Sequence, residues 1–62
     1  MSKTEIIETL QDAVRRLRIE EVQGNDSVRD QIIKMTQDIF NVRKMSAIEA
    51  KQWASERTGF DD

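Results

Sequence analysis

Apolar residues recur every three or four positions along the first third of the chain. At about 100° per residue they share one arc of about 120°, as on one side of an α-helix. These residues are Ile6, Ile7, Leu10, Ala13, Val14 and Leu17. Ser2 and Glu5 have the spacing of a capping box, which begins a helix, whereas Gly24 and Asn25 tolerate the backbone conformation that ends one. The pattern predicts a first helix over about residues 3–22.

A second stripe with heptad-like spacing follows and predicts a helix over about residues 28–44. Its members are Val28, Ile32, Met35, Ile39 and Val42. Ser27 is the expected capping residue, with Asp26 as the alternative. Arg43 and Lys44 lie in the last turn, where positive charge is favourable to the helix dipole.

A third, shorter helix is predicted over about residues 47–58, because Ser46 and Glu49 form another capping box. Gly59 is placed to end this helix, and Phe60 is then expected to fold back onto its last turn. The predicted apolar side consists of Ala47, Ala50, Trp53 and Ala54.

The chain shows no strand pattern, so the expected fold is all-α. We expect one small domain over residues 1–62, an antiparallel two-helix hairpin with a short C-terminal third helix, because the loops are short. Chains of this size usually need disulfides, metals, self-association or very regular helix packing. Cysteine and histidine are absent, which excludes the first two and leaves self-association, as in a homodimer, or unusually regular helices.

The predicted second helix carries more apolar surface than one contact needs. Ile33 and Phe40 lie seven residues apart, roughly 120° around the helix from the main stripe. One interpretation is that the third helix packs there and brings Trp53 onto Phe40. The other is that this side receives a partner protein or a second copy of the chain.

Two further residues complete the predicted protein interface of Ile19, Ile33, Phe40 and Trp53. Ile19 projects away from the core stripe of the first helix, with Val22 about 60° from it. It is either a scattered surface residue or a dimer contact that continues the line of Ile33. Trp53 is either a core anchor or an interface hot spot.

Catalysis is not expected, since no thiolate or imidazole is available and no nucleophile–base pair has a supporting context. No catalytic, cofactor-binding or metal-binding residues are predicted. Glu8 and Asp12 lie one helical turn apart, but arginines nearby favour a solvated surface. No apolar run approaches the roughly 20 residues of a membrane span, and no signal peptide is present, so we expect a cytoplasmic protein without membrane contact.

Nucleic-acid binding is the alternative function. Ala47–Gly59 resembles the first helix and turn of a helix-turn-helix DNA-binding domain, with small residues inside and a glycine at the turn. The resemblance implies DNA binding, but no recognition helix follows Gly59. The densest basic cluster, Arg15 to Arg18, is expected to spread around its helix and meet acidic neighbours. Residues 1–24, 25–45 and 46–62 carry +4/−5, +4/−3 and +2/−4, so no segment exceeds +1.

The sequence therefore predicts a non-catalytic protein–protein interaction module, an accessory regulator or adaptor that self-associates. Its small size and net charge of −2 are typical of accessory proteins of bacterial phages and plasmids. The partner itself is not identified by any motif.

Overall fold

The computed structural model describes residues 2–57, and this part of the chain is all-α. Three α-helices follow one another: α1 (Lys3–Val22), α2 (Arg29–Lys44) and α3 (Ala47–Ser55), with a 3₁₀ turn at Asp26–Val28 before α2. No strand occurs among the described residues. The all-α fold and the three helices expected from the sequence are confirmed.

In two of the three predicted helix caps, the hydrogen bond to the serine side chain forms as expected. The Ser2 hydroxyl accepts a hydrogen bond from the Glu5 backbone N–H at 3.2 Å, and Ser46 does the same for Glu49 at 3.2 Å. Each bond satisfies one of the N–H groups that have no partner inside the helix. After α1, Gly24 adopts a φ of +103°, a conformation that a side chain disfavours, and the chain can therefore reverse.

The predicted cap of α2 is wrong. The Ser27 hydroxyl donates to Asn25 Oδ1 at 2.5 Å, and neither Ser27 nor Asp26 caps the helix. The 3₁₀ turn occupies the residues that would have formed the first helical turn, so α2 begins at Arg29. The third helix ends at Ser55 rather than near 58, and Gly59 and Phe60 lie outside the described residues.

α1 and α2 form an antiparallel hairpin that is tied at both ends. The Lys3 ammonium donates to the Arg43 carbonyl at 2.9 Å near the start of α1, and Arg29 pairs with Glu21 at 3.1 Å near its end. Between these ties the predicted stripes meet. The buried residues of the hairpin are Ile6, Leu10, Val14, Val28 and Val42.

α3 packs on one side of this hairpin. Ala50 and Ala54 are buried with Ile6, Leu10 and Val42 in one cluster, and Trp53 is half-buried against it. Small side chains let the α3 backbone come close to the hairpin. Ala47, which was expected on the apolar side of this helix, is exposed. No helix within residues 2–57 is long and apolar enough to cross a lipid bilayer.

Candidate functional site

The side of α2 that faces away from α3 keeps large apolar side chains in contact with water. Phe40 is 56% exposed and Ile33 is 51% exposed. Asp38, which pairs with Arg57 just beyond α3 at 3.6 Å, marks the side of α2 that α3 covers. Phe40 lies about 160° around the helix from Asp38 at about 100° per residue. Because α3 is on the opposite side, it does not bring Trp53 onto Phe40.

A groove of about 360 Å³ runs between α1 and α2 on this uncovered side. From α1 it is lined by Gln11, Val14, Arg15 and Arg18. From α2 it is lined by Thr36, Ile39, Phe40 and Arg43. Val14 and Ile39 form the apolar floor that continues into the core, while the arginines stand at the edges.

A second hollow, also of about 360 Å³, extends the groove toward the hairpin turn. It shares Arg15 and Arg18 with the groove and adds Ile19, Val22 and Gln23. Ile19 is 55% exposed and Val22 is 87% exposed. The aliphatic stems of the two arginines lie beside these apolar residues, as long cationic side chains commonly do.

Together these features form one surface, which we call the open face. Its apolar members are Ile19, Val22 and Phe40, which line the two hollows, and the exposed Ile33, which lies outside both hollows. Its basic members are Arg15, Arg18 and Arg43. Ile33 continues the line of Phe40 one heptad earlier on α2. Three of the four residues predicted for the interface thus lie on this side of the hairpin. Trp53 does not, since it packs against the core cluster on the other side.

The charges on the open face are only partly neutralised by the chain itself. Arg15 lies 3.8 Å from Asp12, with both side chains largely exposed, so this pair contributes little to stability. Arg18 and Arg43 form no ion pair within residues 2–57. At the rim, a hydrogen bond to Glu21 and the charge of that carboxylate raise the pKa of Arg29 above its ordinary value.

The expectation that the arginines from Arg15 to Arg18 spread around their helix does not reveal the positive charge of this groove. Arg15 and Arg18 are three residues apart, which places them on neighbouring positions of one helix side. That spacing was the available signal. Arg43 joins them from α2, and only the packing of the hairpin shows this.

The open face offers apolar contact and cationic hydrogen-bond donors. Among the described residues, no group of three or more acidic side chains could hold a metal ion, and every buried residue is apolar.

No protein-family model, curated protein or solved structure matches this chain significantly.

Proposed function

We propose that the protein is a non-catalytic protein-binding module, an accessory regulator or adaptor that docks on a partner through the open face. One observation carries the proposal: Ile33 and Phe40 remain about half exposed although all three helices are folded. The exposed apolar surface of these two side chains is not covered by α3, because α3 lies on the opposite side of the hairpin. We propose that the protein acts in the cytoplasm.

The clustering of these residues supports an interface rather than chance exposure. Single exposed apolar residues are normal on protein surfaces, whereas a contiguous group marks an interaction site. On the open face an aromatic ring, aliphatic side chains and arginines occur together, and aromatic residues and arginine are enriched at protein interfaces. Burying apolar area contributes about 25 cal/mol per Å², so covering this side by a partner is favourable.

The absence of cysteine and histidine from the sequence supports binding without catalysis. A chain of 62 residues that binds without reacting can act by occupying a surface of its partner or by linking the partner to something else. Regulation and adaptor activity both take this form.

The test is affinity purification of the tagged protein from its native cells, with two variants beside the wild type. Ile33→Ser/Phe40→Ser removes the apolar part of the open face on α2. Ile48→Ser is the matched control, because Ile48 is an exposed isoleucine on α3, away from the open face. We expect at least one protein to co-purify with the wild type and the control and to be lost with the double variant.

Circular dichroism of the three proteins shows whether each keeps its helices. Identical sets of co-purifying proteins from all three folded chains would contradict the proposal. So would a partner that is lost with Ile48→Ser and retained with Ile33→Ser/Phe40→Ser.

Nucleic-acid binding is the second candidate, and one observation favours it. Arg15, Arg18 and Arg43 line a single groove, which gathers positive charge on one side of a chain whose net charge is −2. Phosphate contacts weaken steeply with salt, so binding to duplex DNA should fall as salt rises and should be lost in Arg18→Glu/Arg43→Glu. Salt-insensitive binding, or none, removes this candidate.

A further inference from the structure

The open face has the shape of a binding groove for one more helix. Two antiparallel helices side by side leave a groove along their axes, and an amphipathic helix can bury its apolar side in such a groove. Residues 11–22 of α1, with Gln23 just after it, line the groove and its extension over about 18 Å, the length of about 12 helical residues. On the opposite side the hairpin already accepts a helix, since α3 packs there.

The charges of the open face specify the character of that helix. Arg18 and Arg43 form no ion pair within residues 2–57, and Arg15 has only its exposed contact with Asp12. The residues that line the groove include three arginines and no carboxylate. Complementary charge across an interface favours the right partner and penalises others. The matching surface is therefore apolar along its centre and acidic along its edges.

A second copy of the chain matches this surface poorly. A two-fold symmetric contact brings the same patch of both copies together, so three arginines from each copy would meet in one interface. Like charges placed together in this way are unfavourable. The phosphates of duplex DNA would pair with the arginines, but the DNA would place a polar surface against the apolar side chains of Ile19, Ile33 and Phe40.

Resting on the proposed function, we infer that the open face binds an acidic amphipathic helix of another protein. The helix presents apolar residues at i, i+4, i+7 and i+11 toward Phe40 and the groove floor. Its flanking aspartates or glutamates pair with Arg15, Arg18 and Arg43.

The probe is a synthetic amphipathic peptide of about 14 residues, long enough for the groove, with leucines on one side and glutamates flanking them. Its twin replaces every glutamate by lysine and keeps the leucines. Each peptide is titrated into the full ¹⁵N-labelled chain up to about 1 mM, a range in which amide chemical shifts detect millimolar dissociation constants. Sedimentation of the free chain in the same buffer shows its oligomeric state.

We expect the acidic peptide to shift the amides of Arg18, Ile33 and Phe40 and to bind at least about tenfold more tightly than its twin at low salt. In Arg18→Glu/Arg43→Glu the preference should reverse. Ile33→Ser/Phe40→Ser should weaken both peptides alike, whereas Ile48→Ser should change neither.

Equal affinities for the two peptides, or no shifts with either, would overturn the inference. A dimer that uses Ile33 and Phe40 would replace it by self-association, and tighter binding of duplex DNA at the same residues would replace it by nucleic-acid binding. If a native partner is still lost with Ile33→Ser/Phe40→Ser while the acidic peptide shows no preference, the inference fails and the proposed function stands. If neither peptide binds and no partner is lost, both fail.

Discussion

The guanidinium carbon of Arg57 lies 4.4 Å from the centre of the Trp53 ring. A cation at this distance over an aromatic face is attracted to it electrostatically. The same guanidinium pairs with Asp38 on α2 at 3.6 Å. Arg57 therefore links the end of α3 to α2 and helps to hold the third helix on one side of the hairpin, which leaves the opposite side open.

Removing Arg57 should loosen α3. In Arg57→Ala the chain loses a cation–π contact of about 0.5–1 kcal/mol and a surface ion pair of about 0.2–1 kcal/mol. We expect the free energy of unfolding in urea to fall by about 1 kcal/mol. Arg16→Ala is the control, because Arg16 is exposed and forms no ion pair within residues 2–57. Equal urea midpoints for the two variants would contradict a role for Arg57.

The core variant Ile6→Ala should destabilise the fold strongly, since Ile6 is fully buried at the meeting point of the three helices. Isoleucine-to-alanine changes in cores cost about 2–5 kcal/mol, a large part of the stability of a chain this small. Thermal unfolding followed by circular dichroism measures the loss. Ile48→Ala, at a position 72% exposed, should change stability by no more than about 0.5 kcal/mol. Similar losses in both would show that α3 is packed differently.

The two serines near helix starts should differ. Ser46 caps α3, so Ser46→Ala should cost about 0.5–2 kcal/mol. Ser27 bonds to Asn25 instead of capping α2, and Ser27→Ala should cost less than about 0.5 kcal/mol. Urea denaturation of both variants makes the comparison. A larger loss of stability from Ser27→Ala than from Ser46→Ala would show that Ser27 caps α2, as the sequence predicts.

The change in unfolding free energy caused by a substitution at Gly24 should depend on whether the new residue is an L- or a D-amino acid. Its φ of +103° disfavours an L side chain, while nothing lies within 4 Å of an added Cβ. Gly24→Ala should therefore destabilise by about 1 kcal/mol, through backbone strain alone. D-alanine at the same position of a synthetic chain should stabilise by about 0.4–1 kcal/mol, because it restricts the unfolded chain without strain. A Gly24→Ala chain as stable as the wild type, or a D-alanine chain less stable than it, would show that the turn is built differently.

Much of the fold follows from local signals. The bounds of α1 match because a capping box, a continuous stripe and Gly24 all agree. The start of α2 lies within one residue of the predicted one, but its cap does not form. Ser27 lies in a 3₁₀ turn and its hydroxyl donates to Asn25, which spacing alone does not reveal. The stripes show which side of each helix is buried.

The candidate site was only partly predictable for a similar reason. Helical periodicity predicted that Ile33 and Phe40 lie off the main stripe, but not on which side of the hairpin α3 would pack. That choice depends on tertiary contacts such as Asp38 with Arg57, which are 19 residues apart. The meeting of Arg43 with Arg15 and Arg18 across two helices depends on the same packing.

The unfolding free energy of Ile33→Ser/Phe40→Ser, measured in urea on dilute protein, tests most directly whether the chain leaves this side of α2 uncovered. Serine has a helix propensity close to those of isoleucine and phenylalanine, so the change reports on burial. We predict a loss of less than about 1.5 kcal/mol for the pair, since both side chains are half exposed. A loss of about 3 kcal/mol or more, as expected for truncating a buried phenylalanine, would show that the chain covers these residues itself.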